Sequence, residues 1–187
     1  MHTRQIPVDL NDLAAAFEDA SDTVRYYLDL ETGAVIAITD EVRYELEAVD
    51  EELEDAPEAE GDRFAQALQE RDLPEEWMRA MVQEAFVVEQ GYGTRYIAIP
   101  TADTHAAYRT MEAFIETVAE LRLQATLLRS IQGRGAFRRF KDVLLAHPDE
   151  RESWFAFSAE RLRERALAWL AAEGVEAVID REQGEGG

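Results

Sequence analysis

The chain has 187 residues, 47% of them hydrophobic, which is enough for one compact core. It carries 40 acidic residues against 19 basic ones, a formal charge of −21, and has no cysteine, so disulfides, thiolate nucleophiles and thiolate metal sites are excluded. His2, His105 and His147 are its only histidines, which excludes a histidine-rich metal cluster, and neither a metal nor a cofactor is expected.

The acidity also bears on partners. A strongly negative field repels nucleic acid and anionic membranes at long range, so binding to either would have to come from a local basic patch. Nucleic acid is therefore disfavoured, and the partners expected are a small anionic ligand received at a local basic segment, or a protein. Lys141 is the only lysine, a bias shared by the proteins of salt-loving hosts and by those of GC-rich genomes. Residues 1–7 contain no apolar leader core, and no long apolar run occurs anywhere, so a cytoplasmic location without membrane contact is expected.

In chain order, Leu10, Leu13, Ala14 and Phe17 recur at helical spacing behind Asp9 and Asn11, which predicts a short first helix. Residues 24–30 and 34–38 are β-branched and aromatic runs separated by Glu31, Thr32 and Gly33, the chemistry of a tight hairpin. From Asp40 the period lengthens: Val42, Leu46, Val49 and Leu53 mark an amphipathic helix that fades into an acidic loop bearing Pro57 and Gly61. Phe64, Ala67 and Leu68 begin another helix, Pro74 interrupts it, and Trp77, Met81, Ala85 and Phe86 resume the spacing. Residues 94–99 predict a third strand that Pro100, lacking an N–H, terminates.

Met111, Phe114, Ile115, Val118, Leu121, Ala125 and Leu128 form one apolar stripe, so residues 104–131 are expected to be a single long central helix ended at Gly133. Pro148, with Asp149 and Glu152 at capping-box spacing, restarts the chain for a helical turn carrying Trp154, Phe155 and Phe157. Ser158 is expected to cap a last helix that turns Leu162, Ala166, Trp169 and Leu170 inward and stops at Gly174. Residues 175–179 follow as a fourth strand, and residues 181–187 read as a disordered tail. The expectation is one α+β domain over residues 1–180, a small antiparallel sheet covered by several helices including the long one.

One segment concentrates the candidate chemistry. Gly133, Arg134 and Gly135 precede a helix carrying Arg138, Arg139 and Lys141, so free backbone N–H groups, a helix dipole and four cationic side chains fall within two turns. These six residues form the candidate anion-binding site. The competing reading is that the glycines merely break the chain between helices while Phe137, Phe140 and Leu144 turn inward and the arginines pair with nearby acids. Two sharper motifs fail on spacing. A dinucleotide fingerprint needs a preceding strand and a third glycine where Arg138 stands. An RNA-recognition strand needs alternating aromatics, whereas Phe137 and Phe140 lie at helical spacing. No catalytic residue is assigned. His147, beside a helix C-terminus, is explained by a dipole contribution of about 0.3–1 kcal/mol.

The hairpin at residues 25–33, the strand at 95–100, Met111-Glu112 with Phe114-Ile115, the segment 133–142 and the aromatic run 154–157 together resemble the bacterial Uncharacterised Protein Family 0158. The similarity covers residues 26–174, and the glycine-arginine-phenylalanine segment is its most specific part. The resemblance implies a shared fold; it brings no activity, cofactor or site residue, and it matches nothing in residues 51–62. The reading is a non-catalytic binding or regulatory module. Its alternative is a hydrolase or transferase of a phosphorylated or acidic small molecule, with Arg134, Arg138 and Arg139 as charge clamps.

Overall fold

The computed structural model of the chain describes residues 4–53, 60–73 and 75–178. The elements run β1 (Arg4–Pro7), α1 (Leu10–Glu18), β2 (Val24–Asp29), β3 (Val35–Thr39), α2 (Asp40–Leu53), α3 (Glu60–Glu70), α4 (Glu76–Gln90), β4 (Tyr96–Ala98), α5 (Thr104–Thr117), α6 (Leu121–Ser130), α7 (Ala136–Leu145), α8 (Pro148–Ala172) and β5 (Val175–Val178). The fold is α+β, with a three-stranded antiparallel sheet and predominantly helical surroundings. The expected tail at 181–187, Ile179 and most of the acidic loop after Leu53 lie outside the described residues. Those residues group into two compact units, one drawn mainly from 10–19 and 102–177 and the other mainly from 20–101.

In the unit around residues 20–101 the hairpin forms as the turn chemistry dictates. β2 is the central strand, antiparallel to β3 on one side and β4 on the other, with Leu28 opposite both Val35 and Ile97. Gly33 closes the turn at φ +79°, where its N–H donates to the Asp29 carbonyl at 2.8 Å. A Cβ at Gly33 would stand 1.7 Å from the Pro7 carbonyl oxygen, so this position needs glycine for the close approach as well as for the dihedral.

Asp29 anchors the sheet. Its carboxylate accepts the Glu31 N–H at 2.8 Å and two bonds from Arg95, Nε at 3.1 Å and Nη2 at 2.8 Å. Burial opposes the charged form of Asp29, yet the bonds from Arg95, Glu31 and Thr32 and the Arg95 charge outweigh it and hold the carboxyl down at about 2.

The core of this unit belongs to the sheet and α2, α3 and α4. Val42, Leu46 and Val49 from α2 meet Phe64 and Leu68 from α3 and Val82 and Phe86 from α4, with Ile38 and Tyr96 contributed by the strands. Phe64 and Phe86 stack at 3.9 Å with their planes 10° apart. Each fully buried side chain of this kind contributes roughly 1.5–3 kcal/mol. The stripe on α4 differs from expectation at its start: Met78 is buried, and Trp77 faces solvent.

In the other unit the expected single helix over 104–131 is two helices. Val118 leaves the helical region with ψ 117°, and Glu120 reopens the chain as the N-cap of α6. The Ile115 carbonyl accepts the Val118 N–H at 3.2 Å and the Gln124 amide at 3.1 Å, so the two helices are tied together across the break. The break also resets the phase of the stripe. Leu123, Leu127 and Ile131 are buried, whereas Leu121 and Leu128, which a continuous helix would turn inward, are exposed.

A second correction concerns the C-terminal helices. Residues 148–172 form one helix, α8, so Ser158 lies in its interior and caps nothing. Pro148 takes the first helical position after His147, and Asp149 and Glu150 complement the dipole of the first turn. Around Phe114 an aromatic core assembles, with Trp154 at 5.3 Å, Phe157 at 5.7 Å and Phe140 at 6.2 Å between ring centres. α8 also packs on α1, where Phe17 meets the edge of Trp169 at 5.7 Å. The fourth strand exists as β5, and its partner is β1, which the sequence reading did not anticipate.

Candidate functional site

The segment singled out in the sequence is a tight connection between α6 and α7. Gly133 and Gly135 both take left-handed dihedrals, φ +73° and +75°, and Gly135 is the N-cap of α7. The cationic side chains do different things here. Arg139 turns back on the preceding turn: its Nε donates to the Ser130 carbonyl at 3.0 Å, and its terminal nitrogens donate to the carbonyls of Gln132 and Arg134. Ser130 is the last residue of α6 and Gln132 and Arg134 lie in the connection beyond it, so Arg139 acts as a C-terminal cap of α6 and ties down the turn that follows. A Cβ at Gly135 would lie 3.2 Å from the Arg139 guanidinium, so the glycine leaves room for this fold-back.

Arg138 is 89% exposed and, among the described residues, pairs only with Asp142, at 3.9 Å. Arg134 and Lys141 are exposed as well. Of the inward face, Phe140 and Leu144 are buried, while Phe137 stays partly in solvent. His105 opens α5, where its N–H donates to the Asp103 carboxylate at 2.9 Å, and His147 joins α7 to α8 through a bond from its N–H to the Leu144 carbonyl at 3.0 Å. Among the described residues no three His, Cys, Asp or Glu come together as metal ligands, and no helix is long and apolar enough to cross a membrane.

A concavity lies elsewhere, in the unit of residues 20–101. A cleft of about 620 Å³ opens between the hairpin, α2, α4 and the chain just after β4. Ile38, Leu46, Ala85, Val88 and Ile99 give it an apolar floor, and Tyr27 and Tyr92, edge to face at 6.2 Å, line it further. Its charged groups are Arg25, Arg43, Glu47 and Glu89. Arg43 is held by Asp40 at 2.7 Å and Glu47 at 3.6 Å. Arg25, projecting from β2, has no ion pair among the described residues. Partial burial pushes the Glu89 carboxyl up, the charges of Asp50 and Glu47 push it further, and Arg43 acts against them. The cleft thus combines apolar surface, one unengaged guanidinium and a carboxylate that ionises reluctantly.

The family described as Uncharacterised protein family (UPF0158) matches over residues 72–184. The chain belongs to this family. A UPF0158 protein of Pseudomonas aeruginosa is 29% identical over 167 residues, 89% of this chain and 83% of that protein. A UPF0158 protein of Chlamydia trachomatis is 28% identical over 89 residues, 47% of this chain, and the match spans only 27% of the chlamydial protein. A Chlamydia pneumoniae UPF0158 protein is 31% identical over 77 residues, 41% of this chain and 24% of its own length. No solved structure matches the chain. The UPF0158 match includes α4 and β4, and with them Glu89, Tyr92 and Thr101 of the cleft; Arg25 and Arg43 precede it.

The cleft escaped the sequence reading because its lining comes from four separate stretches of chain whose meeting depends on the β2–β4 pairing. The one local signal was Arg25, a charge at the start of a largely apolar and aromatic strand whose other charge, Asp29, is engaged by Arg95.

Proposed function

We propose that this UPF0158 protein is a non-catalytic binding module, and that its ligand is a small amphipathic molecule with one anionic group, held in the cleft between the hairpin, α2 and α4. The observation that carries the proposal is Arg25: a guanidinium without an ion pair among the described residues, on the wall of an apolar-floored cleft of about 620 Å³. Small-molecule sites are concave and mainly apolar, with a few polar groups that fix orientation. A planar guanidinium is suited to a carboxylate or phosphate. Glu47 already faces Arg43, so Arg25 is the cation left to receive the ligand's charge, and the apolar floor receives its body.

The test is a thermal-shift panel of alkyl and aryl carboxylates and phosphate monoesters on the full chain, with inorganic salt at matched ionic strength. A ligand that binds only the native state at a hundredfold excess over its Kd adds about 2.7 kcal/mol, and a chain of this size gains roughly 2–4 °C in melting midpoint per kcal/mol. Arg25→Ala should abolish the shift without changing the unliganded midpoint. The proposal fails if no panel member raises the midpoint above the salt control, if the shift survives Arg25→Ala, or if a panel member is turned over.

A further inference from the structure

A second concavity, separate from the cleft and sharing none of its residues, lies between the first turns of α2 and α4. Its volume is about 490 Å³, and its walls are Tyr44 from α2 and Trp77 and Met78 from α4. Tyr44 is 69% exposed and Trp77 52% exposed, an unusual state for two large aromatics on a soluble face. The rim is wholly acidic: Asp40, Glu41, Glu45 and Glu75. Asp40 is engaged by Arg43 and Glu45 by Arg71, whereas Glu41 and Glu75 have no ion pair among the described residues.

We infer that this groove docks an arginine- or lysine-rich segment of a partner polypeptide, with one cationic side chain lying against Trp77 and Tyr44 and meeting Glu41 and Glu75. Charge complementarity decides the occupant. Aromatic faces attract cations through their quadrupole, and tryptophan does so best. The carboxylates left without cations on the rim supply the hydrogen-bond acceptors that a guanidinium or ammonium requires. An anionic or purely apolar partner would be repelled by the rim or leave it unsatisfied. The openness of the groove selects a polypeptide over a free small cation: small ligands are held by clefts that bury most of their surface, while here both rings are largely in water until something broad covers them. Exposed tryptophan and tyrosine are also the residue types that dominate interface energetics. The chain's formal charge of −21 would steer such a basic segment towards its surface.

The test titrates a fluorescent arginine octapeptide against the full chain and reads anisotropy, because the peptide carries the proposed chemistry without a particular partner sequence. Trp77→Ala and Tyr44→Ala change no charge, so they separate the groove from general attraction to an acidic surface. Each should weaken binding roughly 3- to 30-fold, the range expected for losing one cation–aromatic contact, and Trp77→Phe should retain most of the affinity. The double change Glu41→Gln, Glu75→Gln should weaken binding while Glu112→Gln, an exposed acid on α5, should not. This pair of variants also covers the case in which an aromatic substitution disturbs folding. Wild-type affinity in both aromatic variants overturns the inference, since binding would then be diffuse electrostatics. Displacement of the peptide by free arginine or tetramethylammonium at similar concentrations overturns the choice of a polypeptide. Failure of the cleft proposal leaves this outcome untouched, because the two sites share no residue.

Discussion

Arg139→Ala separates the capping role of Arg139 from an anion-binding one. The side chain donates to the carbonyls of Ser130, Gln132 and Arg134, and the bond to Ser130 is partly buried. A hydrogen bond from a charged donor is worth about 1.5–3 kcal/mol when shielded. The two outer bonds face solvent and belong with exposed charge interactions, worth about 0–1 kcal/mol each. A sum of about 2 kcal/mol is therefore expected, or a fall in melting midpoint of roughly 4–8 °C for a chain of this length. Arg138→Ala, from an 89% exposed side chain 3.9 Å from its acid, should change stability by less than about 0.5 kcal/mol. The assay is urea unfolding followed by far-UV circular dichroism, with thermal melts in phosphate and in chloride at matched ionic strength. Phosphate should raise the midpoints of wild type and Arg139→Ala by the same amount, as a salt excluded from the surface does. Equal stability of the Arg138 and Arg139 variants would refute the capping role. A phosphate increment present in wild type and lost in Arg139→Ala would show that the guanidinium is available to an anion.

Two further outcomes follow from the hairpin. The Asp29 carboxyl, held at about 2 against an ordinary 3.8, should contribute about 1–2 kcal/mol after allowance for the partial exposure of Arg95. Because the folded group titrates below the unfolded one, this contribution is complete above about pH 4 and is lost as pH falls towards 2; Asp29→Asn should be less stable at neutral pH and lose less stability across that window, as equilibrium unfolding at several pH values would show. Gly33→Ala should displace β1 or open the turn, since its Cβ would stand 1.7 Å from the Pro7 oxygen, whereas Gly133→Ala, with nothing within 4 Å, should cost only the roughly 1–2 kcal/mol of a left-handed alanine. Proton–deuterium exchange at β2 amides would distinguish them.

How much of this was legible depended on how local the cause was. The hairpin announced itself through Thr32-Gly33 between two β-branched runs, and α1, α2 and α7 through apolar spacing alone, because turn residues and amphipathic faces are written in adjacent positions. The break after Thr117 was invisible. No proline or glycine marks residues 118–120, and the stripe continues to Leu121 and Leu128, so only the packing of Leu123, Leu127 and Ile131 against Phe114 and Phe140 reveals that the phase has shifted. Ser158 misled for the opposite reason, a strong capping residue inside a helix whose neighbours Trp154 and Phe157 favour continuing. At the glycine-arginine segment the cations were visible, but the fold-back of Arg139 onto α6 depends on two left-handed glycines acting together. The cleft and the acidic aromatic groove are assembled from distant stretches and left no contiguous signature.

The pairing of β1 with β5 has a consequence in time. Arg4 donates to the Gly174 carbonyl and Gln5 to Glu176, the latter across 171 positions of chain, and α1 likewise packs against α8. The successive helices α5 to α8, by contrast, each touch the next. Short loops close quickly and long ones slowly, so during synthesis, at about 5–20 residues per second, the α5–α7 succession can pack as it emerges. α1 and β1 must wait until α8 and β5 have left the ribosome. Through that interval Leu13 and Phe17, buried in the finished fold, stay uncovered, and a nascent chain stalled short of α8 would present them to chaperones as a sticky amphipathic helix.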